Sequence, residues 1–334
     1  MNTNKSHTNK SLYPLKFKPI LKELIWGGTQ LKTVLGKDVR VDHCGESWEL
    51  SGVSGDISIV ANGFLKGNNL QELIEVYMGD LVGDKIYDRF GTEFPVLVKF
   101  IDAQDDLSIQ VHPDDRLAEQ RHGLNGKTEM WYIMKAGKGS GLILGFNQEM
   151  DKEKYIQAVD NGKLQEILNF VEVDQGDVFF IPAGRVHAIG KDILLAEIQQ
   201  TSDLTYRIYD WDRVGADGMP RELHTEYAMD AIDYNMQDEY RTHYQKASQG
   251  TSELIKCPYF TTNLVQIEQP TEKDFQNLDS FVIYMCTTGA CSISWGTNES
   301  QDIRKGDTIL IPAVLEGVNF IPSEPTEMLE IYMK

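Results

Sequence analysis

Residues 175–190, QGDVFFIPAGRVHAIG, constrain the fold more than any other stretch of the chain. The apolar run VFFI lies between Gly176-Asp177 and Pro182-Ala183-Gly184, and that punctuation reads as turn, strand, turn. His187 then opens a second strand. The pattern returns at residues 305–313 as KGDTILIPA, with Val314 in place of Gly184 and Gly317 where His187 would fall. One supersecondary unit used twice suggests two β modules of like architecture, of which only the first carries the histidine. Taken alone, His187 is either a hydrogen-bonded structural residue or a ligand.

Most of the chain fits this β reading. Alternating or apolar runs mark strands at residues 46–51, 94–101, 107–113, 127–134, 193–199 and 204–211. Helical spacing of apolar residues appears in two places, about 69–90 and about 148–170. The charged residues 114–126 read as an irregular connection, and residues 221–238 turn acidic and lose periodicity, as at a boundary. With 334 residues there is room for two domains. The expected organisation is a disordered lead-in over 1–11, a larger β domain over 12–240 and a smaller one over 241–334.

Charge narrows the function. Asp and Glu number 51 against 32 Lys and Arg, a net charge of −19 that argues against nucleic-acid binding. A phosphorylated substrate would need a local basic cluster set against that trend. The four cysteines show no CxxC spacing and no disulfide framework. No run approaches the roughly 18 apolar residues of a membrane span. A reduced, cytoplasmic protein is the expectation.

Polar residues inside the strands carry the chemistry. Alternation puts Ser108, Gln110 and His112 on one face, and Lys127, Glu129 and Trp131 share another. Lys99 stands in an otherwise apolar strand, where a charge is costly unless paired; an edge position with the side chain reaching water is the ordinary explanation. Trp26, Trp48 and Glu46 read as packing or edge residues, and Glu129 alone as a surface residue. Gln110, His112, Glu129 and His187 could converge as an N/O ligand set with a position left for water or substrate. Such a set suits Zn²⁺ and admits Fe²⁺, Mn²⁺ or Co²⁺.

The G-x5-P-x-G-x2-H spacing around His187 resembles the second motif of the cupin barrels. Trp26-Gly27-Gly28, GESWE at 45–49, LVKFIDA at 97–103, LSIQVHP at 107–113, KTEMWY at 127–132 and TYRIYDW at 205–211 together resemble the type I phosphomannose isomerases of the short bacterial kind. The match runs in order over residues 13 to about 235, and the last third agrees only in general character. The resemblance implies a mainly β fold of two cupin (jelly-roll) barrels with a small helical insertion. It implies one Zn²⁺ per chain on Gln110, His112, Glu129 and His187. It also implies a substrate pocket of Trp26, Glu46, Lys99, Ser108, Lys127, Glu197 and Arg207. The implied reaction interconverts mannose 6-phosphate and fructose 6-phosphate through an enediol(ate), with Arg207, Glu197 and Lys127 as catalytic residues. The base is Glu197 or a zinc-bound water, with Glu46 behind them. The basic loop of longer relatives is replaced by Tyr209-Asp210-Trp211-Asp212-Arg213, so no lysine role there is carried over. The alternatives are a sugar-phosphate-binding cupin without catalysis and another metal-dependent cupin enzyme. The expected partner is a hexose phosphate, and the assembly a monomer or homodimer.

Overall fold

The computed structural model describes residues 11–215 and 218–334; the expected lead-in at 1–11 lies, Ser11 apart, outside them. Residues 20–209 supply eleven strands. They are β1 (Ile20–Gly28), β2 (Cys44–Leu50), β3 (Val96–Ala103), β4 (Ile109–Val111), β5 (Glu129–Ala136) and β6 (Gly141–Phe146). Then come β7 (Leu168–Glu172), β8 (Val178–Ile181), β9 (His187–Ile189), β10 (Ile193–Gln200) and β11 (Tyr206–Tyr209). They form two antiparallel sheets, ordered β1-β2-β3-β10-β5-β8 and β11-β4-β9-β6-β7. This pair of sheets is the first module.

The second module holds β12 (Gly250–Lys256), β13 (Thr261–Ile267), β14 (Thr271–Asp274), β15 (Val282–Thr288) and β16 (Ala290–Trp295). It ends with β17 (Glu299–Arg304), β18 (Thr308–Ile311), β19 (Gly317–Pro322) and β20 (Thr326–Tyr332). Its sheets run β12-β13-β20-β15-β18 and β14-β19-β16-β17. The expectation of a mainly β fold is met, with antiparallel sheets throughout. Within each module the two sheets remain separate ladders, and no pairing among the described residues closes either pair into a continuous barrel.

Three apolar layers hold the sheets together. Ile101, Trp131, Phe179 and Leu195 meet Leu142, Leu144 and Ile189 between the sheets of the first module. Tyr284, Ile309 and Met328 meet Ile293, Ile303 and Phe320 inside the second. The third layer joins the modules: Val98, Phe100, Met130, Tyr132 and Ile198 pack with Leu264, Ile283, Met285, Leu329 and Ile331. The six-stranded sheet is thus covered on both sides, which is why all eight residues of β3 and of β10 are buried. Leu15 reinforces the junction by exchanging backbone hydrogen bonds with Leu310 at 2.8 and 2.9 Å.

The helical segments depart from expectation in detail. Residues 70–90 form three short helices broken at Met78 (φ 46°) and Gly83 (φ 99°). Asn69 and Glu72 close a capping box at their start. Gly83 is required there, because a Cβ would lie 2.5 Å from the Asp279 carbonyl oxygen. The segment expected over 148–170 is helical only at Lys152–Asp160 and in one 3-10 turn at Leu164–Ile167. From Leu168 onward the chain is β7, because Leu168 and Phe170 pair with Phe146 and Ile143 of β6. The connection at 114–126 contains a helix, Asp115–His122, capped by Asp114 and ended by left-handed Gly123. Only Ala118 is buried on it, so it shows no apolar stripe for periodicity to detect. Thr225–Ala231 is likewise a short helix in the stretch read as a boundary. No helix among the described residues is long and apolar enough to cross a membrane.

Phe100 is 0 % exposed in the layer between modules. Phe100→Ala should lower stability by about 3–5 kcal/mol. Because both modules share that layer, urea unfolding should show one transition by far-UV and fluorescence alike. Two separated transitions, with only the first displaced, would contradict the shared core.

Candidate metal centre and active site

Register builds the site. In the six-stranded sheet Lys99 lies opposite Glu197, Glu197 opposite Trp131, and Trp131 opposite Phe179. The next row toward one end is Leu97, Gln199, Glu129 and Ile181; toward the other it is Ile101, Leu195 and Ile133. Directly opposed residues of an antiparallel sheet share a face. The interior of the first module is therefore polar at one end and apolar at the other. In the facing sheet Arg207 lies opposite Gln110, Gln110 opposite His187, and His187 opposite Leu144. Ile109, Val111, Ala188, Tyr206 and Ile208 take the other face, under the helices at Lys152–Asp160 and Thr225–Ala231.

The two sheets bring Gln110, His112, Glu129 and His187 together. His112 Nε2 lies 3.5 Å from Glu129 Oε2, and His187 Nε2 lies 3.4 Å from Glu129 Oε1. Gln110 brings its carboxamide within 3.3 Å of His187 Nε2. Tetrahedral bonds of about 2.0–2.1 Å would put ligand atoms roughly 3.3–3.4 Å apart, so these spacings fit a metal ion. His112 Nε2 and both Glu129 oxygens are buried without a hydrogen-bond partner. Such orphaned atoms are costly unless something binds them. Behind them, His112 Nδ1 contacts the Leu204 carbonyl oxygen at 2.9 Å and His187 Nδ1 that of Arg185 at 2.8 Å. An Nδ1–H donated outward leaves each Nε2 lone pair facing the centre. Burial, then Lys127's charge, holds His112 well below the ordinary imidazole range, and burial lowers His187 to about 4. Both rings are neutral at pH 7, the state a metal requires. Burial, seconded by the charge of Glu197, pushes the Glu129 carboxyl up to about 8. A bound cation would return it to the carboxylate.

A second charged group adjoins the first. Lys99 Nζ is 3.1 Å from Glu197 Oε1 and 3.7 Å from Glu46 Oε2. Lys99 is therefore not at an edge: it sits on a central strand, 4 % exposed, with its charge paired inside the protein. Burial alone would lower its pKa, but Glu197 and Glu46 outweigh that and raise it. Glu197 is the converse. Burial raises its pKa, yet Lys99, Lys127 and a 2.8 Å hydrogen bond from Trp131 Nε1 hold it below the usual carboxylate range. Lys127 Nζ lies 3.7 Å from Glu129 Oε2, and Trp48 Nε1 donates to Glu46 at 2.5 Å.

Of the other expected residues, Ser108 is buried just before β4, and Trp26 is buried with its ring against Gly45. Arg207 is half-buried beside the row of Gln110 and His187; its Nη1 donates to the Glu222 carbonyl oxygen, and its Nε lacks a partner. The sequence reading passed over Trp48 and Trp131 as donors to the two glutamates, although the shared face of Glu129 and Trp131 was in view. It also passed over Asp210, which accepts from Arg213 Nη2 at 2.7 Å and Arg221 Nε at 2.7 Å, close after the arginine strand.

The comparisons bear on this geometry. Residues 14–139 match the phosphomannose isomerase type I catalytic domain. Mannose-6-phosphate isomerase ManA of Bacillus subtilis is 42 % identical over 305 residues, 90 % of this chain and 93 % of that one. The chain belongs to the type I phosphomannose isomerase family. The mannose-6-phosphate isomerase of Streptococcus mutans is 34 % identical over 92 % of this chain and 95 % of its own. The crystal structure of a Bacillus subtilis mannose 6-phosphate isomerase superposes with a TM-score of 0.87 at 30 % identity, covering 97 % of this chain and all of the other. The expected cupin architecture is that of this family.

Two expected outcomes follow from the charges. Lys99→Met leaves Glu197 buried without its cation and should destabilise by about 3–5 kcal/mol. Adding Glu197→Gln should recover most of that in urea unfolding; an undisturbed single variant would mean the pair contributes nothing. Asp210 resists its own burial through Arg221 and Arg213, which hold its pKa below the ordinary value. The unfolded chain then binds the proton more readily, so stability rises with pH through that window. The contribution is complete above roughly pH 4 and lost as pH falls through the depressed pKa. Thermal melts of Asp210→Asn between pH 3 and 7 should show a shallower acid limb than the parent.

Proposed function

We propose that this enzyme interconverts mannose 6-phosphate and fructose 6-phosphate, with one Zn²⁺ per chain held by Gln110, His112, Glu129 and His187. The observation that carries the reading is the buried triad of His112, Glu129 and His187, whose inward atoms lack partners beside the Lys99–Glu197 pair. Gln110 completes the set through its carboxamide oxygen, since a half-turn of that amide exchanges its O and N.

The reaction moves a proton between C2 and C1 of the open-chain sugar through an enediolate. When bound, the metal ion would polarise the sugar's carbonyl and hydroxyl oxygens as a Lewis acid. Arg207, Lys99 and Lys127 concentrate positive charge in an acidic chain, and with Ser108 they bind the phosphate and steady the developing oxyanion. Glu197 serves as the base: Lys99, 3.1 Å from Oε1, and the indole N–H of Trp131 keep it ionised. Glu46, tied to Lys99 and Trp48, orients that lysine from behind. Trp26 forms an apolar wall. The cytoplasm is the proposed location, in keeping with cysteines 44, 257, 286 and 291 all being unpaired. A monomer or homodimer is the proposed assembly.

The test couples metal analysis of the purified protein to an assay for fructose 6-phosphate formed from mannose 6-phosphate. Arg207→Ala should abolish turnover with zinc content intact, and His187→Ala should lose both. Chelation should remove activity, and added Zn²⁺ should restore it. Zinc without turnover on any hexose phosphate would overturn the proposal.

A further inference from the structure

Lys99 lies 3.1 Å from Glu197 and Lys127 lies 3.7 Å from Glu129, whereas no carboxylate among the described residues forms an ion pair with Arg207. The Arg207 guanidinium donates from Nη1 to the Glu222 carbonyl oxygen at 2.8 Å, and its buried Nε has no partner. A carboxylate is nonetheless at hand. Asp210 follows closely in the chain, 5 % exposed, and its charge acts on Arg207. It is already taken up. Arg221 forks onto it, Nε to Oδ2 at 2.7 Å and Nη2 to Oδ1 at 2.5 Å, and Arg213 Nη2 donates to Oδ1 at 2.7 Å. A bidentate pair of this kind is directional as well as strong.

Each of those two arginines leads to a substrate residue. Glu222, next to Arg221, supplies the carbonyl that holds Arg207 Nη1. His224 grips the same position through the backbone: Arg207 N donates to its Nδ1 at 3.1 Å, and His224 N donates to the Arg207 carbonyl oxygen at 2.7 Å. On the other side, Arg213 Nη1 donates to the Asp106 carbonyl oxygen at 2.6 Å and Trp211 Nε1 to that of Leu107 at 2.8 Å, immediately ahead of Ser108. The turn that makes this possible is strained. Trp211 and Asp212 both lie in the left-handed region, at φ 57° and 54°. Such residues persist where the surroundings over-determine the backbone, and they gather at functional sites.

We infer that Asp210 is a positioning residue for the substrate cation: it anchors the segment that aims Arg207, while Arg221 and Arg213 occupy its charge and leave Arg207 free for an anion. The inference rests on the isomerase reading, in which Arg207 meets the substrate, and adds what aims it. Burial, then the charge of Arg221, works against the Arg207 cation. A guanidinium keeps its proton regardless, so an anionic group of the substrate offsets both.

A mutant cycle on the zinc-loaded protein tests this. Asp210→Asn and Arg221→Met should each lower kcat/KM for mannose 6-phosphate by roughly a hundredfold, the scale of a small misplacement of a catalytic group. Zinc content should stay unchanged and the melt cooperative. In an Arg207→Lys background, which keeps the charge without the fork, each should cost less than about twofold more, because the group they aim is gone. Losses that multiply in full would overturn the inference and leave Asp210 a stabilising residue. Folded single variants within about twofold of the parent would overturn it equally. Should Asp210→Asn not fold, Arg221→Met, which leaves Asp210 paired with Arg213, carries the cycle alone. Calorimetric titration of inorganic phosphate onto the same proteins repeats the cycle without turnover. A parent that binds phosphate but isomerises no hexose phosphate fails the isomerase reading, and the phosphate cycle then decides the inference by the same criterion. A parent that does neither overturns both.

Discussion

A sheet with solvent on one side can place its polar residues outside, but the six-stranded sheet here has no outside. One face closes the first module, and the other packs against the sheet of the second. Every polar side chain on its central strands must therefore find a partner within the protein or carry an unmet desolvation penalty. Lys99, Glu197 and Trp131 meet that condition by standing opposite one another in the register, whereas the Glu129 oxygens in the next row are left without a hydrogen-bond partner. The site is the place where this sheet accepts polarity at all.

The same constraint explains the electrostatics. Two neutral imidazoles, a carboxyl whose pKa is raised and a carboxylate whose pKa is lowered lie within a few side chains of one another. The two glutamates differ because of their neighbours: Glu197 lies against Lys99 and receives the indole N–H, whereas Glu129 faces two imidazoles that carry no charge, has Lys127 only at 3.7 Å, and is pushed up by its burial and by Glu197. Pairs of acids driven apart in this way divide the labour of a site. One suits a proton acceptor, and the other suits a cation.

Much of this was legible in the chain. Alternation alone put Gln110 and His112 on one face and Glu129 with Trp131 on another, and the turn chemistry around His187 located its strand. The duplicated segment separated what the fold needs, a strand and a turn, from what it does not, the histidine. Lys99 was misplaced for a physical reason. A single strand does not reveal that it is central, and the partners that keep Lys99 inside, Glu197 and Glu46, are distant in sequence. The helix at Asp115–His122 was missed because end caps, not an apolar stripe, define it. The end of the 148–170 segment was misread because Leu168 and Phe170 answer to the strand beside them, and spacing along one chain does not register a neighbour.

The ligand candidates are divided between sheets: Glu129 comes from the doubly buried sheet, whereas Gln110, His112 and His187 come from the facing one. Neither sheet alone assembles the centre, so its geometry reports how the two sheets sit on one another. That separation is fixed by Ile101, Leu195, Ile133, Leu142 and Leu144 at the apolar end of the same interior. Packing there sets the ligand spacing at the polar end, and close-packed interiors transmit small displacements. The second module keeps an apolar layer of the same kind around Tyr284, Ile309 and Phe320, without the histidine and glutamate that the first module places at its polar end.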